Sequence, residues 1–331
     1  VNRILALLLP IAIHFAAAEV SAKDASSSSY EEALELIHAY TGSGDQLQRA
    51  MQLAEALSKS HPNSGYSQTL WAEALSTWRL NQEGEPAELR DQIIKLCDQA
   101  LRLNPRLAQA HVAKARALVR ASLYREAASA IDAALALDPT LSGAMFLRAE
   151  MFRRTGKIAD GDLWYRKFIQ STSSSSRQSN GYYWLGRMYQ DAAWDNPTER
   201  GALTAKARES YQRMIELDPS GAWRNVNFAI FLNDHAADFE GAERYAQKAL
   251  SIMEFPMARY HLAAARYQQV WARLSGMDRE TLAHEVREVY VSTNVSLSDA
   301  LSFSAFSSVV RYRLGEVHAR LAERPVRAPN S

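Results

Sequence analysis

Few residues in this chain stand at spacings that chemistry could use. His284-Glu285 opens like the helix of a zinc protease, which needs a second histidine four residues after the first so that both rings reach one metal. Position 288 holds Glu288, so that ligand set is broken. Gly42-Ser43-Gly44 supplies two glycines of a dinucleotide-binding loop, but no strand pattern precedes them and no third glycine follows. A turn between two helices is expected there. The carboxylate pairs Glu31-Glu32 and Asp160/Asp162 fall where solvated helix faces or loops should lie. Cys97 is the single cysteine, which excludes an intramolecular disulfide and a cysteine-ligated cluster. It stands among apolar residues at helical spacing, so a buried, unreactive thiol is expected. The sequence assigns no catalytic residue, no metal and no cofactor, and an enzyme is not expected.

The elements that carry these residues are helices. Hydrophobic residues make up 47% of the 331 and charged residues 23%, enough to bury a core. Only 14 Gly and 10 Pro are present, few for a turn-rich protein. Ala and Leu dominate the middle of the chain, and both favour helix. The charge is nearly balanced, with 38 basic and 37 acidic residues. That balance lacks the basic excess of a nucleic-acid footprint, so no nucleic-acid partner is expected.

A repeat organises the helices. Asn104-Pro105 and Asp138-Pro139 lie 34 residues apart, and each closes an amphipathic run. Asp218-Pro219 and His61-Pro62 close two more. A proline stops one helix and presets the backbone for the next, because it lacks an N–H and fixes φ. The same ladder precedes each proline: Ala127, Ile131, Ala134; Ala207, Tyr211, Met214; Ile93, Cys97, Ala100; and, more weakly, Ala50, Ala54, Leu57. Steps of four and three place each set on one helical face. After each proline a second pattern recurs, best seen as Tyr182, Leu185-Gly186, Tyr189. Its small residue marks where a partner helix crosses. Trp71-Ala72, Arg148-Ala149, Phe228-Ala229 and Ala263-Ala264 are further copies.

In these residues the chain resembles the tetratricopeptide-repeat family over roughly residues 31–272. The resemblance implies an all-α, right-handed superhelical solenoid of five to six helix pairs with a C-terminal helical cap. Repeats are expected over 31–62 (degenerate), 63–105 (with an insertion), 106–139, 140–176, 177–219 (with an insertion) and 220–256. Terminal helices and a cap are expected over 257–322, with one amphipathic helix from Asp299 to Leu321. Trp194, in the second insertion, is expected to pack it down onto the repeats.

The family's architecture further implies a concave groove lined by the first helix of each pair. Arg116, Arg120, Phe146, Glu150, Arg153, Tyr183, Arg187, Gln190 and Asn227 are expected to face it. Several arginines there would favour an acidic ligand or a C-terminal carboxylate, because the guanidinium forks onto carboxylates. The family's paired Lys and Asn for chaperone tails are not found, since those places hold Val112, Arg116, Phe146 and Glu150. The partner is therefore expected to be another protein or peptide, with the chain acting as a non-catalytic scaffold or adaptor. An accessory or solute-binding role in an envelope transport or polysaccharide pathway is the alternative.

Residues 1–22 have the pattern of a bacterial secretory signal peptide. Arg3 supplies its charge, an apolar run extends from Ile4 to Phe15, and small residues allow cleavage after Ala22 or after Ala18. The run is short for a membrane span, and membrane contact is expected only through this segment if it is retained. The mature chain is expected in the periplasm or outside the cell. A flexible polar leader over 23–30 and a disordered tail over 323–331 complete the reading.

Overall fold

The computed structural model describes residues 25–39, 45–79 and 87–322. The segment expected to be a signal peptide, the turn expected at Gly42-Ser43-Gly44 and the tail expected over 323–331 lie outside them. Among the described residues there are sixteen α-helices, one 3-10 turn and no strand. None of the helices is long and apolar enough to cross a membrane. The chain divides into two compact units, Val1–Arg154 and Thr155–Ser331.

The first unit contains α1 (Ala25–Ala39), α2 (Gln46–Ser60), α3 (Gly65–Arg79), α4 (Ala87–Leu103), α5 (Ala108–Arg120), α6 (Tyr124–Leu137) and α7 (Ser142–Arg154). Each packs on the next, and α1, α3, α5 and α7 also touch in series. The odd-numbered helices thus lie on the inner side of the unit's curve. The ladder residues form the seams: Ala50 and Ala54, then Cys97 and Ala100, then Ala127, Ile131 and Ala134 are buried. Ala72 and Ala115, on the facing helices, are buried against them. Small side chains on both partners let the backbones approach, and the apolar area removed from water holds them there at roughly 25 cal/mol per Å2. At the end of α6, the Asp138 carboxylate accepts hydrogen bonds from the Thr140 amide (2.9 Å) and hydroxyl (2.6 Å), which turns the chain at Pro139.

The leader expectation needs correction. α1 begins at Ala25 and takes in Ser26 to Ser29. Serine is a modest helix former, and packing of Tyr30, Ala33, Leu34 and Ile37 against α2 and α3 extends the helix through it.

The second unit contains α8 (Ile158–Gln170), α9 (Ser175–Asp195), α10 (Arg200–Leu217), α11 (Ala222–Asp234), α12 (Phe239–Ile252), α13 (Pro256–Ala272), α14 (Arg279–Thr293), α15 (Leu297–Ser302) and α16 (Ser308–Ala322). The insertion after Tyr189 is absorbed as helix, giving α9 21 residues and α10 18. Their crossing depends on Gly186, where a Cβ would meet the Tyr211 ring at 3.2–3.3 Å. Pro256 is the first residue of α13, where its missing N–H costs nothing. Side-chain caps set other starts: Asp238 accepts from the Gly241 amide at 2.9 Å, and Asp278 from that of Thr281 at 2.7 Å.

The single helix expected from Asp299 to Leu321 is two helices, α15 and α16. Phe303 turns extended, Phe306 is buried, and the Ser307 hydroxyl accepts from the Val310 amide to cap α16. The serines around these phenylalanines offer the backbone alternative partners, and burying Phe306, with Phe303 packed partly buried beside it, decides the break. The apolar side expected of the last helix is present: Val310, Leu314 and Val317 are buried in one core with Tyr267, Val270 and Leu282.

Candidate functional site

The nine residues expected to line a groove fall in both units. In the first, three of the five make hydrogen bonds within the unit and a fourth stands near a buried carboxyl. Glu150 is only 6% exposed. Arg153 grips it through Nε and Nη2, both at 2.8 Å, and Arg154 through Nε at 2.6 Å. Burial alone would raise the Glu150 carboxyl, but these hydrogen bonds hold it below the usual range. Arg120 donates to the Ser76 carbonyl at 3.0 Å. Arg116 stands near Glu73, whose carboxyl is pushed up by burial, with Arg116 opposing. Phe146 is half-buried on α7. The run of arginines is therefore matched by carboxylates and a carbonyl from the same inner helices. This balance was not legible in the list of arginines alone.

In the second unit, α9 and α11 bring a smaller set together. The Tyr183 hydroxyl lies 3.5 Å from Asn227 Oδ1, and Asn227 donates to the Trp223 carbonyl at 2.6 Å. Arg224 stands over the Tyr183 ring at 5.8 Å. One turn along α9, Arg187 meets Asp191 at 3.9 Å, a long contact between side chains 38% and 41% exposed. The Arg187 Nε is buried with no hydrogen-bond partner among the described residues. His235 lies close by. Burial lowers its pKa first and Arg187 lowers it further, while Asp191 opposes. Trp194 stands edge-on to His235 at 6.4 Å between ring centres, yet remains exposed. It thus meets the residue that ends α11, the kind of contact expected of a side chain packing the insertion onto the repeats, while much of its ring stays in water.

Gln190 takes a structural place. It is 8% exposed and accepts the Tyr211 hydroxyl at 2.8 Å. The close α9–α10 crossing at Gly186 directs it into the seam rather than toward solvent. Asp191, Trp194 and His235, absent from the expected groove set, join the contacts around Arg187. Asp191 follows Arg187 by one helical turn, and that spacing was the available signal.

The cysteine and histidine expectations can be placed as well. Cys97 is buried in the α4 seam, and burial pushes its thiol up to about 12. His284 is exposed on α14, and Glu285 beside it pairs with Arg273 at 3.1 Å. Among the described residues no group of three or more His, Cys, Asp or Glu could hold a metal ion.

No family model matches the chain, and no curated protein matches it. Solved structures do. The human IFIT1 dimer with PPP-AAAA is 16% identical, with a TM-score of 0.56 over 90% of this chain and 70% of that one. The human IFIT1 dimer with m7Gppp-AAAA is also 16% identical, with a TM-score of 0.57 over 90% and 69%. Serial helix pairs joined through small-residue seams thus coincide with a likeness spanning nearly the whole chain. The chain carries the tetratricopeptide-repeat fold. A further match is TTC0263, a thermophilic TPR protein of Thermus thermophilus, at 14% identity and a TM-score of 0.49 over 63% of this chain and 99% of that one. Tyr183, Arg187, Asp191 and Asn227 stand on α9 and α11, and His235 follows the last residue of α11.

Proposed function

We propose that the chain is a non-catalytic interaction scaffold. It holds a peptide or partner segment on the inner faces of its repeat helices, and it works in the bacterial envelope after export. The observation that carries the binding role is Arg187: a half-exposed guanidinium with a buried, unpartnered Nε and only a 3.9 Å contact to Asp191. A ligand carboxylate reaching that guanidinium would form a charge-assisted hydrogen bond that the free protein lacks. Tyr183, Asn227 and His235 supply neutral partners around it, and Trp194 an exposed apolar plate. The tetratricopeptide-repeat fold supports a protein partner in general. The first 22 residues support export.

The Arg187 face of the second unit disfavours RNA. In the second unit Asp191 stands one turn from Arg187 on α9, and a polyphosphate needs a continuous cationic track. The test uses a random decapeptide display library against the full mature chain. Enrichment of peptides bearing a carboxylate is expected, with at least tenfold weaker capture by Arg187→Glu. Capture unchanged by that reversal would remove Arg187 from the site, and an RNA ligand competing for the same surface would overturn the reading.

A further inference from the structure

The inner face of the second unit is open on α9 and covered on α13. Repeat equivalence makes the comparison direct. Leu185-Gly186 in α9 matches Ala263-Ala264 in α13, so Tyr183, Arg187 and Gln190 correspond to His261, Ala265 and Gln268. Tyr183 and Arg187 are half-buried, with water on one side. His261 is 2% exposed, and Ala265 and Gln268 are 0%. The cover comes from the C-terminal part of the chain itself. The His261 ring lies edge-on to Phe306 at 5.2 Å and to Phe303 at 6.3 Å, and Phe303 stacks on Tyr260 at 4.3 Å. Arg313 of α16 donates to Gln268 Oε1 at 2.6 Å and reaches the Asn233 carbonyl of α11 at 3.5 Å. Its guanidinium stands over Trp271 at 4.9 Å and Phe239 at 5.2 Å. The segment therefore touches two successive inner helices, as a groove ligand would.

We propose that residues 303–322 form an intramolecular latch, occupying the inner face of α13 in competition with the peptide ligand of the second unit. The proposal rests on the groove reading given above. It also specifies what the α13 end of that groove recognises: a segment with two aromatic side chains three residues apart and an arginine seven residues after the second. Phe303, Phe306 and Arg313 supply that pattern in cis.

Two features distinguish a latch from a permanent cap. Val310, Leu314 and Val317 bury apolar surface and hold the closed form. The polar fit beneath is incomplete. His261 Nδ1 is buried without a hydrogen-bond partner, and Asp234, although Ser307 hydrogen-bonds it and Arg313 faces it, keeps its Oδ1 buried and unpaired. A buried polar atom left unpaired opposes closure, and lifting the segment returns both atoms to water. The closed form is thus held by its apolar face and opposed at its polar joint, the balance required for a segment that opens without global unfolding.

Hydrogen exchange on the full wild-type chain tests the latch without any ligand. Peptides covering 303–322 should exchange at least tenfold faster than those of α13 and α14. Exchange of 303–322 in step with α13 and α14 would mean that the segment leaves only when the unit unfolds, and would overturn the proposal. The second measurement uses a fluorescein-labelled synthetic peptide of residues 303–317 as probe. It should bind the full-length Phe306→Ser/Arg313→Glu variant at least tenfold more tightly than wild type. A folded variant that does not bind it would show that the uncovered face takes no such ligand. An unfolded variant leaves the exchange result to decide. Neither measurement depends on Arg187, so loss of the latch and loss of the Arg187 site give different results.

Discussion

Asp234 and His261 should contribute two opposed slopes to this protein's stability in acid. Both sit under the C-terminal segment, and burial pushes both toward their neutral forms. The Asp234 carboxyl is raised from 3.8 to about 6 by burial, opposed by a Ser307 hydrogen bond and by the charge of Arg313. The His261 ring is lowered from 6.5 to about 4, by burial alone. At about 1.4 kcal/mol per pH unit, each displacement corresponds to roughly 3 kcal/mol at most. The signs differ. Asp234 contributes its full share when the fold is below pH 3.8, and that share is lost as pH rises through about 6. His261 contributes its share above pH 6.5, and that share is lost as pH falls through about 4. Between pH 7 and pH 4 the gain from one offsets the loss from the other. Asp234→Asn removes the gain, so relative to wild type this variant should lose roughly 2–3 kcal/mol on going from pH 7 to pH 4. His261→Gln removes the loss and should gain a similar amount. Urea unfolding followed by circular dichroism at pH 7, 5.5 and 4 measures all three proteins, and only the differences from wild type are compared. If both variants track wild type at every pH, neither group is buried as described and the reasoning fails.

Three further substitutions probe the seams. Gly186→Val places a side chain where a Cβ alone already meets the Tyr211 ring at 3.2 Å, so a loss of about 1–3 kcal/mol is expected in the same urea assay. Tyr211→Phe leaves the buried Gln190 carbonyl oxygen without its 2.8 Å donor and should cost about 1–3 kcal/mol, while the ring packing on Phe231 is kept. Cys97 should resist a thiol reagent such as dithiobisnitrobenzoate in the native protein at pH 8 and react fully in 6 M guanidinium, since its thiol is buried with a pKa near 12. Rapid native labelling would place it outside the seam.

The repeat fold was legible because its determinants are local. Ala127, Ile131 and Ala134 share a face whatever the rest of the chain does, and Pro139 stops the helix by its own covalent geometry. The break between α15 and α16 was not legible. Asp299 to Leu321 keeps a helical apolar spacing, and only the burial of Phe306 and the packing of Phe303 against α13 decide against continuing the helix. The groove set was legible in part. Tyr183, Arg187 and Asn227 come together on α9 and α11, because helical spacing and repeat equivalence predict a shared face. Glu150 and Gln190 hold positions of the same kind, yet one is enclosed by two arginines and the other by the Tyr211 hydroxyl. Such pairings depend on distances across a turn or between helices, which residue type does not encode.

Those pairings also decide which arginine is available to a ligand. A ligand carboxylate approaching Arg153 must replace a two-point contact to Glu150, a carboxylate almost wholly buried. Removing that partner would leave a buried carboxylate with the Arg154 contact alone, so Arg153 is committed to the fold. Arg187 and Asp191 are each more than a third exposed and meet only at 3.9 Å. An exposed pair of that kind contributes about 0–1 kcal/mol and is readily exchanged for an incoming carboxylate. Asp191 then remains in water and loses little. The same comparison explains why a count of arginines overstates the groove's preference for acidic ligands: affinity for a carboxylate is set by the cation whose present partner is cheapest to release. On the inner face of the second unit that cation is Arg187.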